Sequence, residues 1–297
     1  MLLVLDVGNT NTVLGVYSRR PSPQPVPVPR VTGKLTPRPI TGDFQHLIAN
    51  WRVVTQRAST VDEYGVLFRN LFAMAGVDFN AVTGIVISSV VPPLDPTLRQ
   101  VCERYFNLEP LFIEPGVRTG ISVRVESAAE VGADRMVNCV AAVEKYGAPC
   151  IIVDFGTATT FDVVSAKSEF VGGAIAPGLG ISADALYSRT ARLQRVEIQK
   201  PPHAIGNNTV TNLQSGLYYG YLGLVDGILE RILAELGGDV KVIATGGLAA
   251  LIGPGSKYIA AVDDLLTLDG LRIIWERHTA GRSRDTAPQA RSAKKNK

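Results

Sequence analysis

Cysteine is scarce: the 297 residues hold three, Cys102, Cys139 and Cys150, and no C-x-x-C pair. No disulfide framework can be drawn from them, and a reducing, cytoplasmic setting is expected. Cys139 and Cys150 sit among apolar neighbours and read as core rather than as nucleophiles. No uncharged apolar run reaches about 18 residues, so no membrane span is expected. The opening Met-Leu-Leu-Val-Leu-Asp has no basic segment and carries an acid at position 6, so it reads as a first core strand and not as an export signal. Neither G-x-x-x-x-G-K-[S/T] nor a strand followed by G-x-G-x-x-G occurs, which excludes the P-loop and the dinucleotide fingerprint.

Charge of one sign is also lacking over most of the chain. The formal net charge is +3, but residues 281–297 hold six basic residues and one acid. The remaining body has 24 basic and 26 acidic residues, a charge of −2. That balance argues against a nucleic-acid partner. The tail is polar, without aromatics or periodicity, and reads as a solvated, disordered extension.

What is present is a chain long enough for one large or two ordinary domains, 46% apolar. The pattern gives strands at 2–6 and 12–17. An excursion at 19–30 follows, with proline at 21, 23, 25, 27 and 29, which cannot donate ladder bonds. Residues 31–35 suit a third strand. Thr60-Val-Asp-Glu63 is a capping-box pattern opening a helix to about Ala75. A strand at 84–90, a helix at 94–106 and a short strand at 111–113 complete the first half. In the second half, 128–146 reads as a helix with an apolar face of Val131, Val137, Val140, Ala141 and Val143. Strands follow at 150–154, 159–165 and 170–175, then a long helix at 212–236, a strand at 240–244 and a closing helix at 265–276. The class is α/β, with mixed sheets flanked by helices.

One internal echo stands out. Leu2-Leu-Val-Leu-Asp6-Val-Gly8-Asn-Thr10 is matched by Cys150-Ile-Ile-Val-Asp154-Phe-Gly156-Thr157, Asp to Asp 148 residues apart, half the chain. Each copy is an apolar strand ending in Asp-x-Gly, then a polar turn into a second strand. Such a repeat suggests a duplicated domain whose two turns face one another across a cleft. The expected organisation is residues 1–116 and 117–280 as two similar domains, with 281–297 as the tail.

A glycine-bearing strand turn exposes successive backbone N–H groups, which form an anion site. Thr10, Asn11 and Thr12 add polar donors, and Asp6 at the strand end suits Mg²⁺ held partly through phosphate oxygens. An ordinary hairpin with Asp6 capping backbone donors is the alternative. Between the copies, Gly132-Ala133-Asp134-Arg135 sits in a helical pattern with Asn138 one turn on. Phosphoryl transfer to a hydroxyl needs a carboxylate to take the proton, and a neighbouring arginine can grip an acidic substrate. A surface Asp-Arg pair is the plainer alternative.

Asp6-Val-Gly-Asn-Thr-Asn, Gly132-Ala-Asp-Arg and Asp154-Phe-Gly-Thr-Ala-Thr-Thr together resemble the signature segments of type III pantothenate kinases. Gly172-Gly-Ala-Ile-Ala-Pro-Gly178, Gly206-Asn-Asn-Thr209 and Gln214-Ser-Gly216 extend the resemblance in order, so that it covers about residues 1–278. It implies duplicated actin/ribonuclease H-like domains around a cleft. It implies ATP-dependent phosphorylation of pantothenate to 4′-phosphopantothenate, the first step toward coenzyme A. By the same resemblance Asp6, Val7, Gly8, Asn9, Thr10, Asn11, Thr12 and Val13, with Thr157, would bind ATP and its Mg²⁺. Asp134 would be the general base, and Gly132, Ala133, Asp134, Arg135 and Thr209 would contact pantothenate. Asp154 would hold a monovalent cation, potassium or ammonium, and the enzyme would be a homodimer. Gly246-Gly247 is a candidate nucleotide contact. The usual substrate-contacting tyrosine is replaced here by Val125. That departure, with the basic tail, leaves two other readings: a regulator built on the same fold, and a kinase of another small hydroxy acid.

Overall fold

The computed structural model describes residues 1–21 and 31–285, with side chains to residue 280. The prolines of the expected excursion, except Pro21, and residues 286–297 of the expected tail lie outside the described residues. Twelve strands are described: β1 (Leu2–Val7), β2 (Asn11–Ser18), β3 (Val31–Gly33), β4 (His46–Val54), β5 (Gly84–Ser89), β6 (Leu111–Phe112), β7 (Ser122–Val123), β8 (Cys150–Phe155), β9 (Ala158–Val164), β10 (Glu169–Pro177), β11 (Lys241–Thr245) and β12 (Ala261–Asp263). The α-helices are α1 (Val61–Met74), α2 (Asp95–Val101), α3 (Ala133–Tyr146), α4 (Leu179–Ser188), α5 (Thr209–Leu236), α6 (Ala249–Ile252) and α7 (Leu266–Asp285).

The strands form two sheets, ordered β4-β2-β1-β5-β6 and β3-β12-β11-β8-β9-β10-β7. In each, a central strand pairs antiparallel with the strand after it and parallel with a strand from the far side of a helix. For β1 these partners are β2 and β5, and for β8 they are β9 and β11. The sequence echo is therefore a structural duplication, with the same strand order and senses twice.

Both central strands bury both faces, as a strand without polar alternation must. Leu2 and Val4 of β1 face a core shared with Ile152 of β8 and with α3 and α7. Leu3, Leu5 and Val7 face a second core under α1 and α2, and Ile151, Val153 and Phe155 of β8 face a third under α5. The molecule is thus layered α1/α2, sheet, α3/α7, sheet, α5. At the start of α1 the expected capping box is formed: Glu63 N–H donates to Thr60 Oγ1 at 3.3 Å, and Thr60 N–H to Glu63 Oε2 at 2.7 Å.

Three points go beyond or change the expectations. The expected third strand forms but is shorter, residues 31–33, and it joins the second sheet, antiparallel to β12. The third strand of the first sheet is β4, which the pattern did not mark. The closing helix continues to Asp285, five residues into the segment expected to be a disordered tail. Among the described residues no helix is long and apolar enough to cross a membrane.

Candidate active site

A cleft of about 520 Å³ opens where the two β-hairpin turns converge, at the ends of β1 and β8. The ladder pairs Asp6 with Val13 and Asp154 with Thr160, so the two aspartates occupy equivalent register positions. Gly8 N–H donates to the Asn11 carbonyl at 3.0 Å. A Cβ at Gly8 would stand 2.9 Å from that same oxygen, so glycine is needed for the turn to close. The turns touch: Thr10 Oγ1 and Thr157 Oγ1 lie 2.9 Å apart, joining the two halves.

Thr12 is buried, and its hydroxyl is shared with Thr55 at 2.9 Å. Thr55 Oγ1 in turn donates to the Gly8 carbonyl at 2.7 Å, and Thr55 N–H to the Thr10 carbonyl at 2.9 Å. The residue after β4 thus buttresses the first turn from behind. Asp6, Gly8, Asn9, Thr10, Asn11, Val13 and Thr157 line the cleft, while Val7 is buried in the core behind it.

Asp134 enters from the first turn of α3, where the helix dipole favours a negative charge. Its Oδ1 accepts the Arg135 N–H at 2.8 Å, and a Cβ at Gly132 would stand 2.6 Å from that oxygen. One turn on, Asn138 donates through Nδ2 to Asp154 Oδ2 at 2.9 Å and accepts from Thr267 Oγ1 at 2.7 Å. Arg135 points the other way along the helix. Its Nε donates to Asp162 Oδ1 at 2.6 Å, its guanidinium lies 5.3 Å from the Phe170 ring centre, and Thr160 Oγ1 donates to Asp162 Oδ2 at 3.1 Å. Asp162 carried no motif; its one signal was an acid inside the otherwise apolar strand Phe161-Asp-Val-Val164.

The electrostatics are those of crowded carboxylates out of bulk water. Burial, then the charges of Asp134 and Asp154, pushes Asp6 up to about 8. Burial and the Asp134 charge push Asp154 up to about 7, against the Asn138 hydrogen bond, which lowers it. Burial also raises Asp134, opposed by the Arg135 amide and guanidinium. Burial takes Asp162 up to about 6, opposed by Arg135. A cation beside Asp6 and Asp154 would relieve this crowding, and hard oxygen donors suit magnesium. Among the described residues no three His, Cys, Asp or Glu side chains converge closely enough to hold a metal ion. Phosphate oxygens and water would have to complete its shell.

The second half closes the cleft from two further directions. Gly178 caps α4 and donates to the Thr157 carbonyl at 3.1 Å, which brings Gly180 and Ile181 to the wall. At the end of β11, Gly246 has φ +93°, and a Cβ there would stand 2.4 Å from Asp154 Oδ1. Gly246 and Gly247 both line the cleft, as do Arg52 of β4 and Asp264, neither of which carries a motif. Arg135, Ala133 and Gly132 lie behind Asp134 and do not line it. Thr209, the first residue of α5, is exposed and stands apart from it. Val125 is half-buried against the central core, its Cγ1 3.9 Å from where a Cβ on Gly172 would lie.

A family model for type III pantothenate kinase matches residues 2–231. Proteins named type III pantothenate kinase share 66% identity over 278 residues (Koribacter versatilis strain Ellin345; 94% of this chain, 96% of that one) and 51% over 280 residues (Myxococcus xanthus strain DK1622; 94% and 100%). The one from Acidobacterium capsulatum shares 54% over 284 residues, covering 96% of this chain and 97% of its own. Among solved structures, a Baf family protein from Campylobacter jejuni aligns over 94% of this chain and 99% of that one, with a TM-score of 0.53 and 17% identity, a likeness of fold.

Proposed function

This chain belongs to the type III pantothenate kinases, and from that premise we propose that Asp134 is the general base of an ATP-dependent phosphorylation of pantothenate. The product is 4′-phosphopantothenate, on the route to coenzyme A. The observation that carries the reading is the meeting of the two Asp-Gly turns at Thr10 and Thr157, with Asp134 facing the same cleft.

The first turn, Asp6 to Val13, receives the phosphates through backbone N–H groups and the Asn9 and Thr10 side chains. Magnesium, held by Asp6 together with phosphate oxygens, would neutralise charge on the transferring group. The pantothenate hydroxyl oxygen attacks the γ-phosphorus as the bond to the β,γ-bridging oxygen breaks. The hydroxyl proton passes to Asp134, and the bond's electron pair leaves with ADP. Burial of Asp134 raises its carboxyl and makes it a stronger base, an effect the Arg135 amide and guanidinium partly oppose. Arg135, held behind Asp134 through its Nε by Asp162 and over the Phe170 ring, is assigned to the acidic end of the substrate beyond the cleft wall. Asp154, beside carbonyl oxygens of its turn, is assigned the monovalent cation, and Thr157 a nucleotide contact. Thr209 and Val125 are assigned to the far end of the substrate. The enzyme is assigned as a homodimer joined through α5, and residues 1–116 and 117–280 as its two lobes.

Turnover measured against a panel of hydroxyl acceptors tests the reading. ADP release with pantothenate and not with other small hydroxy acids is expected; turnover of a different acid alone would replace the substrate. Rates in potassium or ammonium should exceed those in sodium at equal ionic strength, and equal rates would remove the cation from Asp154.

A further inference from the structure

Among the described residues, the charged side chains lining the cleft are unevenly divided: five aspartates (Asp6, Asp134, Asp154, Asp184 and Asp264) and one arginine, Arg52. A nucleoside triphosphate is itself a polyanion, so its entry needs positive charge beyond what backbone N–H groups supply. The Arg52 side chain is exposed and makes no hydrogen bond or close ion pair among the described residues, unlike Asp184, which pairs with Arg195 at 2.9 Å; its charge acts at longer range on Asp6, Asp154 and Asp264. An arginine committed to structure would be expected to have such partners.

Its placement is fixed by strand register. Arg52 pairs with Val13, and Val13 pairs with Asp6, so the three stand in one row across β4, β2 and β1 with side chains on one face. Two strand spacings separate the backbones of Arg52 and Asp6, about 10 Å. That gap suits a phosphate group between a guanidinium on one side and a carboxylate-held cation on the other. Arg52 Nη1 also stands 3.6 Å from where a Cβ on Gly247 would lie, so it reaches from the first sheet to the turn after β11. Glycine at 247 leaves that space open.

We propose that Arg52 is a phosphate-binding residue of this kinase, its guanidinium gripping the terminal phosphate oxygens of ATP between the first turn and Gly246-Gly247. The inference rests on the kinase reading above for the identity of the anion. Holding those oxygens also stabilises the charge spread over the equatorial oxygens of the transferring phosphoryl group in the transition state.

The test compares the full-length wild type with Arg52→Gln and Arg52→Lys, by steady-state kinetics and by calorimetric titration with Mg·ATP. Arg52→Gln should lower kcat/KM for ATP about 10²–10³-fold and weaken Mg·ATP binding, with the pantothenate KM and melting temperature nearly unchanged. Arg52→Lys should recover part of the loss, since it restores the charge without the planar fork. A kcat/KM for ATP within about threefold of wild type in Arg52→Gln would overturn the proposal. So would equal weakening of both substrates with full recovery in Arg52→Lys, because that pattern marks general charge balance. A wild type that binds Mg·ATP but leaves pantothenate untouched would sink the kinase reading instead, and the ATP titrations of the variants would still decide Arg52.

Discussion

At the scale of single residues, the cleft's behaviour follows from carboxylates held close together out of water. Asp134→Asn keeps the size and hydrogen-bonding shape of the side chain and removes its capacity to take a proton. Turnover should fall about 10²–10⁴-fold while the melting temperature barely moves; an unchanged rate would return Asp134 to the role of an ordinary helix-terminal acid. Asp6 and Asp154 make a second, pH-dependent expectation. Their carboxyls are raised from the ordinary 3.8 to about 8 and about 7. Through that window the folded chain binds more protons than the unfolded one, so stability falls as pH rises. In metal-free, nucleotide-free buffer the melting temperature should therefore drop between about pH 5 and pH 8, and Mg·ATP should flatten the slope by balancing the ionised carboxylates. A melting temperature that climbs through the same window would contradict this account. The two aspartates were legible in the sequence because each ends an apolar strand before a glycine turn. Arg52 was not, because a lone arginine in Trp51-Arg-Val-Val54 carries no spacing that marks it.

At the scale of elements, legibility followed the strength of the local signal. The capping box located the start of α1 to the residue, and uninterrupted apolar runs located β1, β5 and β8. Strand β4 was missed because its alternation is confined to Ala49-Asn-Trp-Arg-Val53, short and flanked by the unpatterned His46-Leu-Ile48. It is an edge strand, specified by its ladder to β2 and by Thr55 beneath the first hairpin turn. Strand β3 was recognised as the third strand, but its sheet was not, since three residues cannot state which distant edge they will join. The turn after β11 shows how an element end controls the site. At Gly246 a side chain would need φ +93° and would press on Asp154 Oδ1 from 2.4 Å. Gly246→Ala should therefore displace that carboxylate and cut kcat/KM, about 10²-fold if the shift approaches 1 Å. Most of the effect should appear in activity, because the turn lies at the cleft rim. Wild-type kinetics in this variant would show that the Asp154 position is not critical.

At the scale of the whole molecule, the duplication was the most legible feature, because both halves repeat one pattern of apolar strand, Asp-x-Gly turn and returning strand. What the sequence could not state is how α3 and α7 pack between the sheets, since that depends on contacts between residues more than a hundred positions apart. The outermost layer poses a different question. Helix α5 buries Leu213, Gln214, Tyr218, Tyr221, Val225 and Leu229 against the second sheet. Its opposite face carries Gly216, Gly220 and Gly223, all exposed, with no atom within 4 Å of where a Cβ on any of them would stand. Each glycine inside a helix costs about 1 kcal/mol relative to alanine. Nothing among the described residues packs against them, whereas a second copy could, by bringing its own backbone close along the smooth face. Exposed Tyr219, 36% accessible on the same helix, flanks that face with apolar surface. A two-fold pairing of α5 with its copy is the simplest closed arrangement. The wild type should sediment at twice the chain mass of 31.8 kDa. Gly220→Gln meets no neighbour within one chain, so the variant should keep its fold and helix content, yet its side chain would stand in the helix–helix contact and shift the protein to monomer. A wild type that sediments as a single monomer at micromolar concentration would leave the three glycines unexplained, and a Gly220→Gln protein that remained a dimer would move the interface off this face.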